Sequence, residues 1–380
     1  MVELTIEPVA TRADRRAFVR FPWRVYRNDP NWVPPLISDQ MATLDPARNA
    51  FFRRADVVLF LARRGREVVG TIAAFIDHNV VQSLGRLVGG FGFFEVVDDF
   101  AIARALLDAA VQWLRRRGAQ LLRGPWNFSN HDHVGVLIQG GDCPPALLES
   151  HTPPYYASFL EQYGMEKQDD LWAYRVFRSR IGDNLEGVPP AILRVAEAAR
   201  QQNGVVVRPL RFDAWDEEIR TAVYLFNTTL SHLPEHIPLP EDDFRRMADQ
   251  FRPFLDPKMA LFAEIDGKPI GFCVALPDVN RVLLHLNGRL FPFNWLRIGR
   301  LIKQVDVATF KLMGVLEQYR QRGIESLLYL EAIRGFIAGR YTYLDGSITS
   351  ESNQMMTRIA RRLGAEPYKL FRVYQLPLEK

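Results

Sequence analysis

The chain reads as an α/β (α+β) protein made of two similar domains. Three observations predict this. β-like runs alternate with helical spacings along the whole length. The pattern restarts after residue 203. Paired landmarks recur: Ala62 and Gly70 in one hairpin stand eight positions apart, as do Ala263 and Gly271 in another. At 380 residues the chain exceeds one average core and suits two domains of under about 200 residues each. The expected division is 1–180, a linker and connecting helix at 181–203, and 204–380.

In the first half, Val2 to Pro8 is a strand and Thr11 to Tyr26 a helix, with Ala17, Phe18, Phe21 and Val25 on one face. Asn28 to Leu36 is an ordered loop rich in proline and tryptophan. Val57 to Ala62 and Val68 to Ile76 form a hairpin turning at Arg64-Gly65, and Gly89 to Val97 is the next strand. Asp98 and Asp99 can cap the helix that follows. Its apolar residues Ile102, Ala105, Leu106, Ala109, Ala110, Trp113 and Leu114 keep helical spacing, and Gly118 ends it. Ala119 to Arg123 returns as a strand. A long loop, Gly124 to Pro154, leads to a helix at Tyr155 to Tyr163 and a strand near Leu171 to Phe177.

Gly182 to Pro190 is the linker and Ala191 to Gln202 the connecting helix. The second half then repeats the order: strand Val205 to Leu210, helices Trp215 to Leu230 and Asp242 to Phe251, and a hairpin Ala260 to Leu276 turning at Asp266-Gly267. An insertion, Asn280 to Gln304, precedes strand Val305 to Val315, a basic turn Glu317 to Arg322, and a helix marked by Ile324, Leu327, Leu328, Ile333 and Phe336. The insertion interleaves Leu290, Phe291, Phe293, Trp295 and Leu296 with Arg289, Arg297, Arg300 and Lys303. Three uses are open for 289–303: packing between the domains, a lid over an acyl chain or acceptor, or peripheral contact with anionic lipid.

Apolar content of 48% and charged content of 24% are ordinary for a globular protein. A net charge of +4 suits an anionic ligand, but the cations are dispersed, so no nucleic-acid partner is expected. Cys143 and Cys273 lie in separate halves and read as reduced thiols. The N-terminus lacks the apolar core of a signal peptide, and no apolar run approaches the ~20 residues that span a bilayer, so the expected location is cytoplasmic. His131 with His133, and His232 with His236 around Pro234, lack a third ligand at a recognisable spacing, and no metal is expected.

Arg320, Arg322 and Gly323 fall where the first free backbone N–H groups of the helix beginning at Ile324 would sit. A helix start with added arginines is a phosphate cradle. The equivalent start in the first half carries Asp98 and Asp99, which would repel an anion, so only the second half is expected to bind one.

Arg320-Gln321-Arg322-Gly323-Ile324-Glu325 resembles the Arg/Gln-x-x-Gly-x-Gly/Ala loop that holds the coenzyme A pyrophosphate in GNAT-family N-acyltransferases, with Glu325 in place of the last small residue. Glu351-Ser352-Asn353, then Met356, Ile359 and Leu363-Gly364-Ala365, resembles the later part of that pattern, with eleven positions from Asn353 to Gly364. The family often places a tyrosine, its general acid, seven residues after that asparagine; here the position is Ala360.

The resemblance implies two GNAT-like domains in tandem, each a mixed, mostly antiparallel sheet flanked by helices, the first degenerate and the second binding cofactor. This arrangement is also found in some bacterial GNAT proteins and in Fem-type ligases. It further implies an acetyl-CoA or other acyl-CoA co-substrate, with Met313, Gly314 and Val315 facing the pantetheine, residues 320–325 the pyrophosphate, and Asn353 beside them. Asp345 and Glu351 are carboxylates that could take a proton from an attacking amine. The implied activity is acyl-CoA-dependent N-acyl transfer to a small-molecule or peptide amine. The alternatives are a degenerate pair that binds a ligand without chemistry, favoured by Ala360 and Glu325, and a Fem-like aminoacyl ligase.

Overall fold

The structure is a computed structural model and describes residues 3–129, 132–202, 204–231 and 237–378. In chain order the elements are β1 (Leu4–Pro8), α1 (Arg12–Arg20), α2 (Pro22–Val25), α3 (Ile37–Thr43), α4 (Phe51–Arg54), β2 (Ala55–Arg64), β3 (Glu67–Asp77), α5 (His78–Leu84), β4 (Val88–Val96), α6 (Phe100–Arg115), β5 (Leu121–Gly124), β6 (Val136–Gln139), α7 (Tyr155–Gln162), β7 (Glu166–Phe177) and α8 (Arg178–Ile181). The second half carries α9 (Pro190–Gln202), β8 (Val206–Pro209), α10 (Trp215–Leu230), α11 (Glu241–Phe251), β9 (Ala260–Ile265), β10 (Lys268–Pro277), α12 (Asn280–Leu283), α13 (Trp295–Ile302), β11 (Val307–Val315), α14 (Ile324–Ala338), β12 (Tyr343–Ser350), α15 (Gln354–Arg362) and β13 (Glu366–Pro377).

The chain forms two compact units. The first comprises Met1–Trp172, Leu283–Leu296 and Tyr368–Lys380; the second comprises Ala173–Val282 and Arg297–Pro367. The repeat in the sequence suggests one boundary after residue 180. Instead, each unit is completed by the strand that ends the other half of the sequence. Local pattern cannot foresee this, because a strand's sequence sets its pleat and not its neighbour.

The sheet of the first unit runs β1-β2-β3-β4-β5-β13, with β6 also on β13. Its pairs are antiparallel except β4 with β5. Asp99 caps α6 by accepting from Ala101 N at 3.0 Å, and the helix buries Ile102, Leu106, Leu107 and Leu114 against one face of the sheet. Each such side chain contributes about 1.5–3 kcal/mol. Phe18, Leu44, Phe51, Phe75 and Phe128 cover the other face. Besides the unread short helices α3, α4 and α5, two departures from the sequence reading have a plain cause. The helix expected over Thr11 to Tyr26 breaks at Pro22, which has no N–H for a continuing ladder and starts α2 instead. The Gly124 to Pro154 loop contains β6, too short to show a period.

The sheet of the second unit runs β8-β9-β10-β11-β12 and ends on the last residues of β7. Here β11 and β12 are the parallel pair. α14 and α9 pack on one face through Leu327, Leu328, Ile333, Ala196 and Ala199. α10 and α11 close the other through Ile219, Leu225, Phe226 and Phe244.

Candidate active site

The parallel register of β11 and β12 runs Val307 with Tyr343, Ala308 with Leu344 and Thr309 with Asp345, and ends there. Strand alternation sends neighbouring side chains to opposite faces. Ala308, Phe310 and Leu344 join the core under α14, while Thr309 and Asp345 meet on the other side. Asp345 is fully buried. It accepts from Thr309 Oγ1 at 2.6 Å and from Ser347 N at 3.1 Å, and Lys311 Nζ stands 3.5 Å away.

A second buried carboxylate, Asp278, sits just past β10. It accepts from Asn280 N at 3.1 Å and pairs with Arg281 Nε at 3.2 Å, and Arg281 Nη2 donates to Tyr343 Oη at 2.6 Å. Burial pushes the Asp278 carboxyl up to about 6; Arg281 and Lys311 oppose the rise and Asp345 adds to it. Two carboxylates balanced by two cations keep the cluster neutral out of water. A carboxyl titrating near 6 is matched to taking a proton near neutrality.

Behind the sheet, between α14 and α15, lies a mostly apolar cavity lined by Phe310, Tyr329, Leu344, Met356, Ala360 and Leu363, among others. Phe310 and Tyr329 stack at 5.5 Å. The Tyr329 hydroxyl meets Met356 Sδ at 3.8 Å, and burial raises its pKa. Ala360, where the resemblance asks for tyrosine, leaves this space open.

The helix start at Gly323 takes a left-handed conformation, φ 81°, and no described side chain caps it. The close approach of α9 requires glycine as well, since a Cβ would lie 2.7 Å from Val195 O. Ile324 is buried and Glu325 half-buried in the first turn; Gln321, also left-handed at φ 61°, is exposed. The arginines divide the work. Arg320 donates from Nε to Val315 O at 3.1 Å and from Nη2 to Thr229 O at 2.6 Å, so its guanidinium braces the loop. Arg322 is exposed, its guanidinium 5.5 Å from the Tyr319 ring centroid.

Met313 is half-buried on β11, with Gly314 and Val315 buried beyond it. Gly314 allows α10 to pack directly on the strand: a Cβ there would meet Thr229 Oγ1 at 2.0 Å. Asn353 caps α15, accepting from Met356 N at 3.2 Å. Glu351 lies in an exposed turn just past β12. Sequence reading missed Asp278, Arg281, Thr309 and Lys311. A lysine on an otherwise apolar strand was the available signal.

In the first unit the corresponding parallel pair is Val88 to Gly90 with Leu121 to Arg123. Trp126 N donates to Phe91 O at 2.9 Å, and Asn127 Oδ1 accepts from Phe93 N at 2.9 Å. The chain's own loop occupies the strand edge. That unit nevertheless holds its own titratable group. Glu95 accepts from Tyr156 Oη at 2.7 Å and is pushed up to about 7 by burial, against the hydrogen bonds of Tyr156 and Tyr26. His151 is buried with Nε2 2.8 Å from Asp29 Oδ2, and burial lowers its pKa. His131, His232 and His236 lie outside the described residues. Among the described residues no group of three or more potential ligands could hold a metal ion. Among the described residues no helix is long and apolar enough to cross a membrane.

No protein-family model matches the chain. It is 36% identical over 383 residues to "Bacterial ceramide synthase" of Caulobacter vibrioides, covering 99% of this chain and 98% of that one. It is 33% identical over 371 residues to "Protein YghO" of Escherichia coli, covering 95% and 92%. Among solved structures it resembles a tandem GNAT protein from the clavulanic acid biosynthesis pathway, with TM-score 0.59, 15% identity and coverage of 100% and 99%. It also resembles a GCN5-related N-acetyltransferase from Sphaerobacter thermophilus, with TM-score 0.54, 14% identity and coverage of 99% and 96%. The chain belongs to the family of the Caulobacter and Escherichia relatives, and its fold is that of the tandem GNAT (GCN5-related N-acetyltransferase) proteins.

Proposed function

We propose that the second unit transfers an acyl group from a coenzyme A thioester to the primary amine of a long-chain amino alcohol. The observation that carries the reading is the end of the β11–β12 register at Thr309 and Asp345, where the paired strands stop beside two buried carboxylates. The Caulobacter relative's name supports the acceptor class, because a ceramide is the amide of a fatty acid with such an amine.

The thioester supplies an activated carbonyl. The uncapped start of α14, with exposed Arg322 beside it, suits the pyrophosphate, and the edge at Met313–Val315 suits the pantetheine amides. The acceptor nitrogen bonds to the carbonyl carbon, the carbon–sulfur bond breaks, and the amine's proton passes to the Asp278–Asp345 pair. Thr309 and Lys311 hold Asp345 in place for that transfer. Tyr329, kept protonated by burial, donates a hydrogen bond to the departing sulfur, in the role that the family gives to a tyrosine at the Ala360 position.

Thiol release by the purified chain with palmitoyl-CoA and sphinganine tests this reading, with an amino sugar and a polyamine as competing acceptors. Release should be greatest with sphinganine and lost in Asp345→Asn. Equal release with the polyamine would remove the acceptor assignment, and silence with every amine would remove the enzyme.

A further inference from the structure

The segment from Arg289 to Lys303 takes no part in the chemistry above, yet it has the least ordinary surface of the molecule. Among the described residues, four of the nine exposed large apolar side chains fall within six positions: Phe291 (74% exposed), Phe293 (71%), Trp295 (52%) and Leu296 (61%). Scattered apolar residues at a surface need no explanation, whereas a contiguous aromatic patch marks a contact.

The patch is built rather than floppy. Asn294 Nδ2 donates to Leu286 O at 3.1 Å and to Arg289 O at 2.7 Å; Trp295 N donates to Leu290 O at 2.9 Å and Trp295 Nε1 to Pro292 O at 3.1 Å. Upstream, Trp23 Nε1 donates to Asn287 Oδ1 at 2.7 Å, and Ile37 N donates to Gly288 O at 3.0 Å. Polar bonds and a buried Leu286 order the loop, and its rings are left pointing at solvent.

The charge around the rings names the occupant. From Val279 to Val305 the sequence has no Asp or Glu and carries Arg281, Arg289, Arg297, Arg300 and Lys303. Arg289, Arg297, Arg300 and Lys303 are all exposed. Exposed aromatic and leucine side chains flanked by cations fit the boundary between acyl chains and headgroups of an anionic bilayer. Leu301, buried on α13, fastens the short helix from below.

We propose that Arg289–Lys303 is an interfacial anchor that seats Phe291, Phe293, Trp295 and Leu296 in an anionic lipid surface. The inference stands independently of the acyl-transfer reading. Its test is co-sedimentation of the full chain with phosphatidylcholine vesicles and with phosphatidylcholine–phosphatidylglycerol vesicles. The expected result is binding to the anionic vesicles, lost in a Phe291→Ser, Phe293→Ser, Trp295→Ser, Leu296→Ser variant with an unchanged melting temperature. Replacing Arg297, Arg300 and Lys303 with glutamine should weaken binding by about fivefold per cation, and added salt should do the same.

Brominated lipid should quench fluorescence in the wild type and less in Trp295→Phe, a readout that survives if the serine variant does not fold. Wild type remaining in the supernatant with anionic vesicles overturns the proposal. So does equal binding by the serine variant, or a wild-type dimer that the serine variant dissolves while neither sediments with lipid.

Discussion

Thr309 and Asp345 are the last registered partners of the parallel strands β11 and β12, and the threonine hydroxyl donates to the carboxylate at 2.6 Å with both residues fully buried. Removing the donor takes the shortest of its bonds from a fully buried carboxylate oxygen, which keeps only Ser347 N at 3.1 Å and Lys311 Nζ at 3.5 Å of the contacts described above. Thr309→Val is expected to cost about 1–3 kcal/mol in denaturant unfolding. Asp345→Ala, which leaves Lys311 uncompensated, should cost about 3–5 kcal/mol. A wild-type unfolding midpoint in Asp345→Ala would show that the cluster is not held as described.

Asp278 is expected to govern an acid limb. Its carboxyl titrates at about 6 against 3.8 for the free side chain, so between those values the folded chain binds more protons than the unfolded one. Stability therefore falls as pH rises through this window, and Asp278→Asn should flatten that slope. In the thiol-release assay the wild-type rate should rise with an apparent pKa near 6. An identical limb in Asp278→Asn would assign it elsewhere.

Glu95 behaves likewise in the first unit, from 4.5 to about 7. Glu95→Gln should remove the stability loss between those values without altering thiol release in the second unit. Melting temperatures of wild type and variant, measured across pH 4 to 8, are the comparison; parallel curves would contradict the burial of this carboxyl.

Gly314 and Thr229 share one space. A methyl group at 314 would lie 2.0 Å from Thr229 Oγ1 and 2.7 Å from its Cβ. Gly314→Ala is expected to destabilise by about 1–3 kcal/mol, and Thr229→Ala in the same chain should recover part of the loss. Strict additivity of the two changes would mean that the helix had shifted instead.

The two arginines of the basic turn should separate by readout. Arg320→Ala removes a brace on Val315 and Thr229 carbonyls and should lower the melting temperature. Arg322→Ala should leave it unchanged and weaken coenzyme A binding in calorimetry. Ala360→Phe, which fills the cavity beside Tyr329, should weaken acyl-CoA binding without destabilising the fold. Unchanged affinity in both of these last variants would take the thioester out of this site.

The hairpins β2–β3 and β9–β10, the helices α6, α10 and α11, the cap at Asp99 and the glycine-led start of α14 were legible in the linear pattern, because period, capping and turn chemistry act over a few residues. The sequence singles out Asp345 but places it near the carboxyl end of a strand, whereas it is the third residue of β12, and its partners are not legible there at all. Thr309 lies 36 positions away, and Asp278 and Arg281 lie just past the end of another strand, β10. Tertiary structure alone decided that β7 and β13 each complete the unit of the other half, that Arg320 braces while Arg322 faces solvent, and that the Trp126–Asn127 loop bonds to the strand beyond the first unit's parallel pair. Local sequence encodes which way a side chain points along its own element; which charges share a dry space depends on elements brought together from across the chain.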